Sequence, residues 1–291
     1  WWGNLVTMRD WSHTWLNESF ATYYEYVYVK HGLGEDDGAL NLLGKKRAYL
    51  AEAREKYMRP IVLDRWEWPN DNFDRHTYQK GGVVLAMLRS LMGDEPFRRS
   101  ITHYLKKHAF GSVDTHDLQI AIREASGQVL DWFFDQWIFR AGHPVLDATY
   151  TWESGAVKLK VGQKQAGLYT LPVSIGVTTS AGKRVHKIWV RDREESFSLP
   201  CPQKPLLVHF DEEELLLKEL VFEKSKEELL YQLVHDNAIG RMDAIAALKP
   251  SAADPRVAAA LRKSATDDPF WAVRRDAIFP TDASFLRLRA T

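Results

Sequence analysis

The sequence has a single cysteine, no excess of either charge and no long hydrophobic run. Cys201 alone cannot form an intramolecular disulfide, and one thiol excludes most thiolate metal sites, so we interpret it as structural. Lys and Arg number 39, as do Asp and Glu, which leaves no basic footprint for nucleic acid or an anionic membrane. No apolar run approaches the roughly 20 residues of a spanning helix. We expect a soluble chain without a nucleic-acid partner or a transmembrane segment.

The sequence also lacks an initiator methionine and a signal peptide. It opens on Trp1 and Trp2, two aromatic side chains that are unfavourable to expose at a free end, and it stops within a charged pattern at Thr291. We therefore expect further chain on both sides. A targeting signal would lie upstream, so the compartment stays unknown.

Three successive periodicities are present, and the length of 291 residues suits two or three domains. Residues 1–144 have helical spacing. Residues 145–222 alternate apolar with polar or small residues, which predicts six or seven strands of a small β-sandwich, with a hairpin turn at Ser180–Lys183. Residues 223–291 are helical again.

The last segment contains an internal repeat. Arg241–Ile245 recurs as Arg274–Ile278, a period of 33 residues, and Asp254-Pro255 between them suits the start of a helix. Helical solenoids have this pattern, because each helix pair needs neighbours to bury its apolar face.

Glu18 and Glu25 lie on one side of a helix predicted over 14–31, and the opposite face is apolar. Because tyrosines flank the carboxylates, we expect this helix to be buried nearly all round. A buried carboxylate is unfavourable unless it binds a cation, a metal or several donors. From the residues alone, a paired or solvated structural role remains the alternative to a metal site.

The segment Trp1-Trp2-Gly3-Asn4-Leu5-Val6-Thr7, followed by Trp15-Leu16-Asn17-Glu18 and Phe20-Ala21, resembles the alanyl-aminopeptidase-like gluzincin zinc metallopeptidases. In that family a zinc-binding His-Glu-x-x-His helix runs, one residue later, into Trp-Trp-Gly-Asn. The third ligand is a Glu in an Asn-Glu-x-Phe-Ala context. The resemblance implies that Glu18 is this third ligand and that Glu25 lies beside the metal without binding it directly.

Two imidazoles and one carboxylate leave the fourth zinc position for water, and the Glu within the His-Glu-x-x-His motif acts as general base in the family. That motif is absent here, and none of the ten histidines has the spacing to replace it. We expect His13 only to pack against or cap the helix start. The resemblance thus implies a C-terminal fragment that begins just after the motif, holds no zinc by itself and is inactive alone.

The segment Phe73–Gly82 resembles the family's Tyr-x-Lys-Gly signature, in which a tyrosine hydroxyl donates to the oxyanion of the tetrahedral intermediate. This implies that Tyr78 stabilises the transition state, a contribution typically worth roughly 3–4 kcal/mol. Without the resemblance, a tyrosine here is usually a core or cap residue. The neighbouring polar residues Asp74 and His76 are candidates for orienting Tyr78 or contacting substrate.

Over the whole chain the resemblance implies the helical second half of a thermolysin-like catalytic domain (1–144), a β-sandwich (145–222) and the start of a HEAT-like repeat domain (223–291) that could contact partners. It implies a zinc aminopeptidase that releases N-terminal residues from peptides through metal-activated water. No residue here is assigned to the substrate amine. The alternatives are a non-catalytic protein-binding scaffold, against which the retained Glu18 and Tyr78 argue, and an epoxide hydrolase on the same fold. N-terminal residue preference and oligomeric state stay open.

Overall fold

The computed structural model describes residues 1–278, and residues 279–291, the end of the predicted repeat segment, lie outside it. The described chain begins with helices, continues with two small sheets and ends with helices. None of the helices within 1–278 is both long and apolar enough to span a membrane.

Helices dominate the part before residue 144. In chain order they are α1 Trp15–Leu33, α2 Glu35–Glu55, α3 Gly81–Met92, α4 Asp94–Lys107, α5 Thr115–Ser126 and α6 Asp131–Trp137. A π-helix, His76–Lys80, runs directly into α3. Two short parallel strands, β1 Val6–Met8 and β2 Gly111–Val113, join the start of the chain to the start of α5.

Local capping explains where α5 begins. The Asp114 carboxylate accepts hydrogen bonds from the backbone N–H groups of His116 and Asp117, and the Asp117 side chain accepts from the Asp114 N–H. This reciprocal pair satisfies donors that a helix start otherwise leaves free.

The expectation that α1 is buried nearly all round was wrong for this chain. Leu16, Phe20 and Tyr23 are buried, but Tyr24 is 41% and Tyr28 is 77% exposed. A tyrosine can pack its ring against neighbouring side chains while its hydroxyl stays in water. The number of tyrosines in α1 therefore overestimates how much of the helix is buried. The Tyr24 ring stacks on the Trp2 ring, with the two ring centroids 5.8 Å apart.

Two sheets follow between residues 145 and 222. Their strands are β3 Val145–Glu153, β4 Ala156–Gln163, β5 Leu171–Thr179, β6 Gly182–Val190, β7 Glu194–Pro200, β8 Leu207–Phe210 and β9 Glu219–Phe222. One sheet has the order β7-β4-β3-β9 and the other the order β6-β5-β8. The hairpin predicted at Ser180–Lys183 joins β5 to β6, with Gly182 at a φ of 117° that favours glycine.

Two hydrophobic clusters are present among the described residues, and each combines elements that are neighbours in the chain order. One apolar cluster combines the buried side chains of α1–α6 with the inward faces of both sheets. A second cluster lies among the last helices, α7 Lys226–His235, α8 Ala238–Leu248, α9 Pro255–Asp267 and α10 Trp271–Ala277. Leu40 and Leu43 of α2 pack against this second cluster, so α2 contacts both.

Candidate active site

Glu18 and Tyr78, which lie far apart in the sequence, meet in space. Glu18 is in the first turn of α1, and Tyr78 is the middle residue of the π-helix. The Tyr78 hydroxyl lies beside the Glu18 carboxylate, close enough for the two groups to interact. Burial, and then the charge of Glu18, raise the pKa of Tyr78 above its usual value. The structure therefore brings together the two residues predicted as metal ligand and oxyanion donor.

The backbone of α1 lies very close to that of the π-helix and α3, and this close contact sets where Glu18 and Tyr78 lie. A Cβ added to Gly81 would lie 1.8 Å from Ser19 Oγ, and one added to Gly82 would lie 2.9 Å from Thr22 Cγ2. The Ser19 hydroxyl donates to the Thr77 carbonyl oxygen at 2.5 Å. Since Ser19 follows Glu18 and Thr77 precedes Tyr78, this contact sets the relative position of the two site residues.

Asp74 caps the π-helix that contains Tyr78. Its Oδ1 accepts from the backbone N–H groups of His76 at 2.9 Å and Thr77 at 3.1 Å. Its carbonyl oxygen accepts from the Tyr78 N–H at 3.1 Å. Burial opposes ionisation of this carboxyl, but hydrogen bonds from His76 and Arg59 outweigh it and hold the pKa of Asp74 well below its usual range. Asp74 thus stays charged and holds the Tyr78 backbone.

His76 lies behind the site and is fully buried. Its Nε2 accepts the Arg59 backbone N–H at 3.3 Å, which leaves the proton on Nδ1. Nδ1 faces the carboxylates of Asp74 at 3.2 Å and Glu52 at 3.5 Å. The Tyr57 ring stacks on the imidazole, with centroids 5.4 Å apart. These contacts suit a residue that orients the Tyr78 segment.

Glu25 extends away from α1 toward α2. Its Oε1 accepts from Asn41 Nδ2 and from Lys45 Nζ, each at 3.0 Å, and its side chain is 57% exposed. The hydrogen bond from Asn41 is the largest of the effects that lower the pKa of Glu25. Glu25 follows Glu18 by two helical turns on the same side, and its place beside a metal stays a prediction.

The contacts of His13 and Cys201 indicate that both residues have structural roles. His13 Nδ1 lies 2.9 Å from Thr115 Oγ1, which also accepts from Trp15 Nε1 at 2.8 Å, so His13 packs at the junction of α1 with α5. Cys201 is buried, and its thiol lies 2.9 Å from the Gln203 carbonyl oxygen.

Sequence reasoning missed Arg59 and gave Lys80 no role. Arg59 is buried and forms a two-point ion pair with Asp74, with Nε–Oδ2 at 2.8 Å and Nη2–Oδ1 at 2.7 Å. Lys80 is fully buried beside the Tyr49 ring. A Lys two residues after Tyr78 was visible as part of the signature, whereas nothing local distinguishes Arg59 from the other arginines.

The described residues 1–278 do not form a zinc site around Glu18. Within residues 1–278, two groups of three potential ligands converge, Glu52 with Asp74 and His76, and His209 with Glu212 and Asp236. Neither group includes Glu18. The acids of both groups already pair with cations: Asp74 with Arg59, Glu52 with Lys56, and both Glu212 and Asp236 with Lys183. Glu18 alone offers one carboxylate where zinc requires about four ligands.

The fold has a solved counterpart. The crystal structure of Legionella pneumophila aminopeptidase A in complex with aspartic acid superposes with a TM-score of 0.80 and 20% identity, covering 96% of this chain and 34% of that one. The fold of this chain is therefore similar to that of part of this solved structure.

The family model described as "Peptidase family M1 domain" matches residues 1–137. Residues 1–137 thus match a peptidase family M1 domain, and the predicted resemblance is confirmed. The Tricorn protease-interacting factor F2 of Thermoplasma volcanium is 32% identical over 63% of this chain and 24% of its own length. Aminopeptidase M1 of Arabidopsis thaliana is 30% identical over 60% of this chain and 21% of its own length. The chain spans about a quarter of these relatives.

Proposed function

We propose that this chain is part of a zinc-dependent aminopeptidase that releases N-terminal amino acids from peptides through metal-activated water. The observation that carries the proposal is the placement of the Tyr78 hydroxyl beside the Glu18 carboxylate, set by the Ser19–Thr77 contact, which combines a donor with a potential metal ligand. The match of residues 1–137 to a peptidase family and the aminopeptidase names of its relatives support the same reaction.

In the proposed enzyme, Glu18 is the contribution of this chain to the zinc ligands, and two histidines and a general-base Glu come from residues outside it. Zinc, when bound, supplies a water of lowered pKa. The Tyr78 phenol donates a hydrogen bond to the oxyanion that forms when the peptide carbonyl is attacked. Asp74 and His76 hold the backbone of Tyr78, and the Ser19–Thr77 contact keeps its hydroxyl beside Glu18.

The architecture supports this assignment at the level of domains. We propose that residues 1–144 are the helical part of a catalytic domain, 145–222 a β-sandwich, and 223–291 the start of a HEAT-like repeat domain. The pairing of α7 with α8 and of α9 with α10 is the arrangement that helical repeats use. Because one relative is named for interacting with a protease, we propose that this last domain contacts a protein partner.

Hydrolysis of aminoacyl-arylamides by the full-length protein tests the reaction. We expect turnover with stoichiometric zinc in the wild type, and loss of both in Glu18→Ala. Glu95→Gln is the matched control, since it alters a carboxylate in the first turn of another helix, where it pairs with Arg98. Unchanged zinc content and turnover in Glu18→Ala would show that Glu18 is not a ligand. Absence of hydrolysis by the wild type would favour the non-catalytic scaffold.

The 291-residue chain by itself should bind zinc weakly and hydrolyse no peptide, because a single carboxylate is a poor zinc site. Equilibrium dialysis with zinc at neutral pH measures the first property. Tight stoichiometric binding that Glu18→Ala abolishes would contradict the expectation that the other ligands lie elsewhere.

A further inference from the structure

We propose that Arg59 is a positioning residue for Tyr78, acting through Asp74 and the π-helix. The proposal rests on the proposed function, since it assigns to Arg59 the task of holding the oxyanion donor in place. Arg59 lies in the irregular segment between α2 and the π-helix and belongs to none of the motifs that indicate the family.

The guanidinium of Arg59 joins three segments of the chain. Its Nη1 donates to the carbonyl oxygens of Pro60 at 2.7 Å and Ile61 at 2.9 Å. Its Nη2 reaches the Asn72 carbonyl oxygen at 3.4 Å and Thr77 Oγ1 at 3.0 Å. All of these contacts are made by one planar group with donors in fixed directions, an arrangement that arginine provides and lysine does not.

The ion pair with Asp74 transmits this constraint to Tyr78. Arg59 fixes both carboxylate oxygens of Asp74, whose Oδ1 also caps the N–H groups of His76 and Thr77. The side chains of Arg59 and Asp74 are only 9% and 8% exposed, so water cannot readily replace a lost partner. Loss of Arg59 would leave the Asp74 charge buried and release the start of the π-helix.

The segment needs such a constraint because little regular structure holds it. From Lys56 to Arg75 the chain has only the short 3-10 helix Pro69–Asn72, and the π-helix itself is an uncommon conformation. The loop is anchored on its other side by the N–H groups of Ile61 and Val62, which donate to the Ile138 carbonyl oxygen at 2.9 and 3.2 Å. Arg59 connects that anchor to the residue preceding Tyr78.

Steady-state kinetics of Arg59→Lys in the full-length protein tests the proposal. We expect kcat to fall by about tenfold or more with KM within about twofold, since a displacement of roughly 1 Å can cost up to about a hundredfold in rate. Arg241→Lys is the matched control, because Arg241 forms a similar two-point pair with Asp268, at 2.8 and 2.9 Å, in the helical tail. This control should leave kcat and KM unchanged.

A second measurement distinguishes a positioning role of Arg59 from a loss of folding and from a failure of the proposed function. Fluorotyrosine-labelled protein gives a ¹⁹F signal for Tyr78 that Tyr78→Phe identifies, and Arg59→Lys should shift or broaden it while Arg241→Lys does not. If Arg59→Lys fails to fold, Asp74→Asn is read in the same two assays. An unmoved Tyr78 signal, or a normal kcat, would overturn the proposal. An inactive wild type would refute the proposed function, and the ¹⁹F signal would still decide the role of Arg59.

Discussion

Lys80 and Lys218 are both buried lysines, and they differ in whether a carboxylate lies beside the ammonium group. Among the described residues Lys80 Nζ has no hydrogen-bond partner, and burial, followed by the charge of Arg59, lowers the pKa of Lys80 to about 7. Lys218 Nζ lies 2.5 Å from Asp211 Oδ2. Burial opposes the charge of Lys218 as well, but Asp211 and Glu214 outweigh it and raise its pKa.

We therefore expect Lys80→Met to stabilise the chain and Lys218→Met to destabilise it. The folded pKa of Lys80 lies below the unfolded value of 10.5, so the unfolded chain binds more protons between pH 7 and 10.5. Wild-type stability then rises with pH across that window. The gain from Lys80→Met should be several kcal/mol below pH 7, at about 1.4 kcal/mol per unit of pKa, and shrink toward pH 10.5.

Urea denaturation of both variants across this pH range measures the difference. A loss of stability in Lys80→Met at pH 6 would show that the ammonium group has a favourable partner in solution.

At the scale of elements, the junction of α1 with the π-helix and α3 depends on the absence of a side chain at Gly81. A Cβ there would overlap Ser19 Oγ at 1.8 Å and Ser19 Cβ at 2.6 Å, so α1 or the π-helix would have to shift. We expect Gly81→Ala to destabilise the fold by about 1–3 kcal/mol, as overpacking typically does.

Gly44→Ala is the matched control for this change. Gly44 lies exposed within α2 with nothing within 4 Å of an added Cβ. It should therefore gain about 0.5–1 kcal/mol from helix propensity. Thermal unfolding of the two variants gives the comparison, and equal effects would mean that the close approach at Ser19 does not determine the packing.

Features that depend on residues close together in the sequence could be predicted, whereas features that depend on distant residues could not. The Asp114 cap, the hairpin at Ser180–Lys183 and the change of period at residue 145 depend on neighbours in the sequence, and all three were predictable. The close approach of Ser19 to Gly81 and the Arg59–Asp74 pair depend on distant parts of the chain, which a single sequence does not reveal. The site residues Glu18 and Tyr78 were found through family motifs, because neither stands out by composition.

At the scale of the whole molecule, a buried ionic network joins the sheets to the helices on either side. His209 of β8 contacts Asp236 at the end of α7, with Nδ1–Oδ2 at 2.8 Å, and Glu214, with Nε2–Oε1 at 2.7 Å. Lys46 of α2 donates to the Glu214 carbonyl oxygen. Burial opposes the charge of His209, but hydrogen bonds to Asp236 and Glu214 outweigh it and raise its pKa to about 10.

His209→Gln should therefore loosen the helical tail in a pH-dependent way. Because the folded pKa exceeds the unfolded value of 6.5, the stabilisation is complete below pH 6.5 and is lost as the pH rises through about 10. We expect hydrogen exchange of α7 and α8 to accelerate by more than about tenfold at pH 6, and by much less near pH 10.

His143→Gln provides the contrasting control. Burial lowers the pKa of His143 despite its contact with Glu219, so this histidine stabilises the fold less as the pH falls below 6.5. Parallel pH trends in the two variants would contradict the assignment of opposite charge states.

The central claim is that Tyr78, beside Glu18, donates a hydrogen bond in the transition state of a peptidase. Its most direct test is kcat of the full-length protein carrying Tyr78→Phe. The control is Tyr150→Phe in strand β3, which removes the hydroxyl of a tyrosine that also lies beside a glutamate and donates to Glu228 at 2.9 Å. We expect kcat to fall by about 10²–10³ in Tyr78→Phe with KM little changed, and both constants to hold in the control. Turnover of Tyr78→Phe within about threefold of the wild type would contradict the claim.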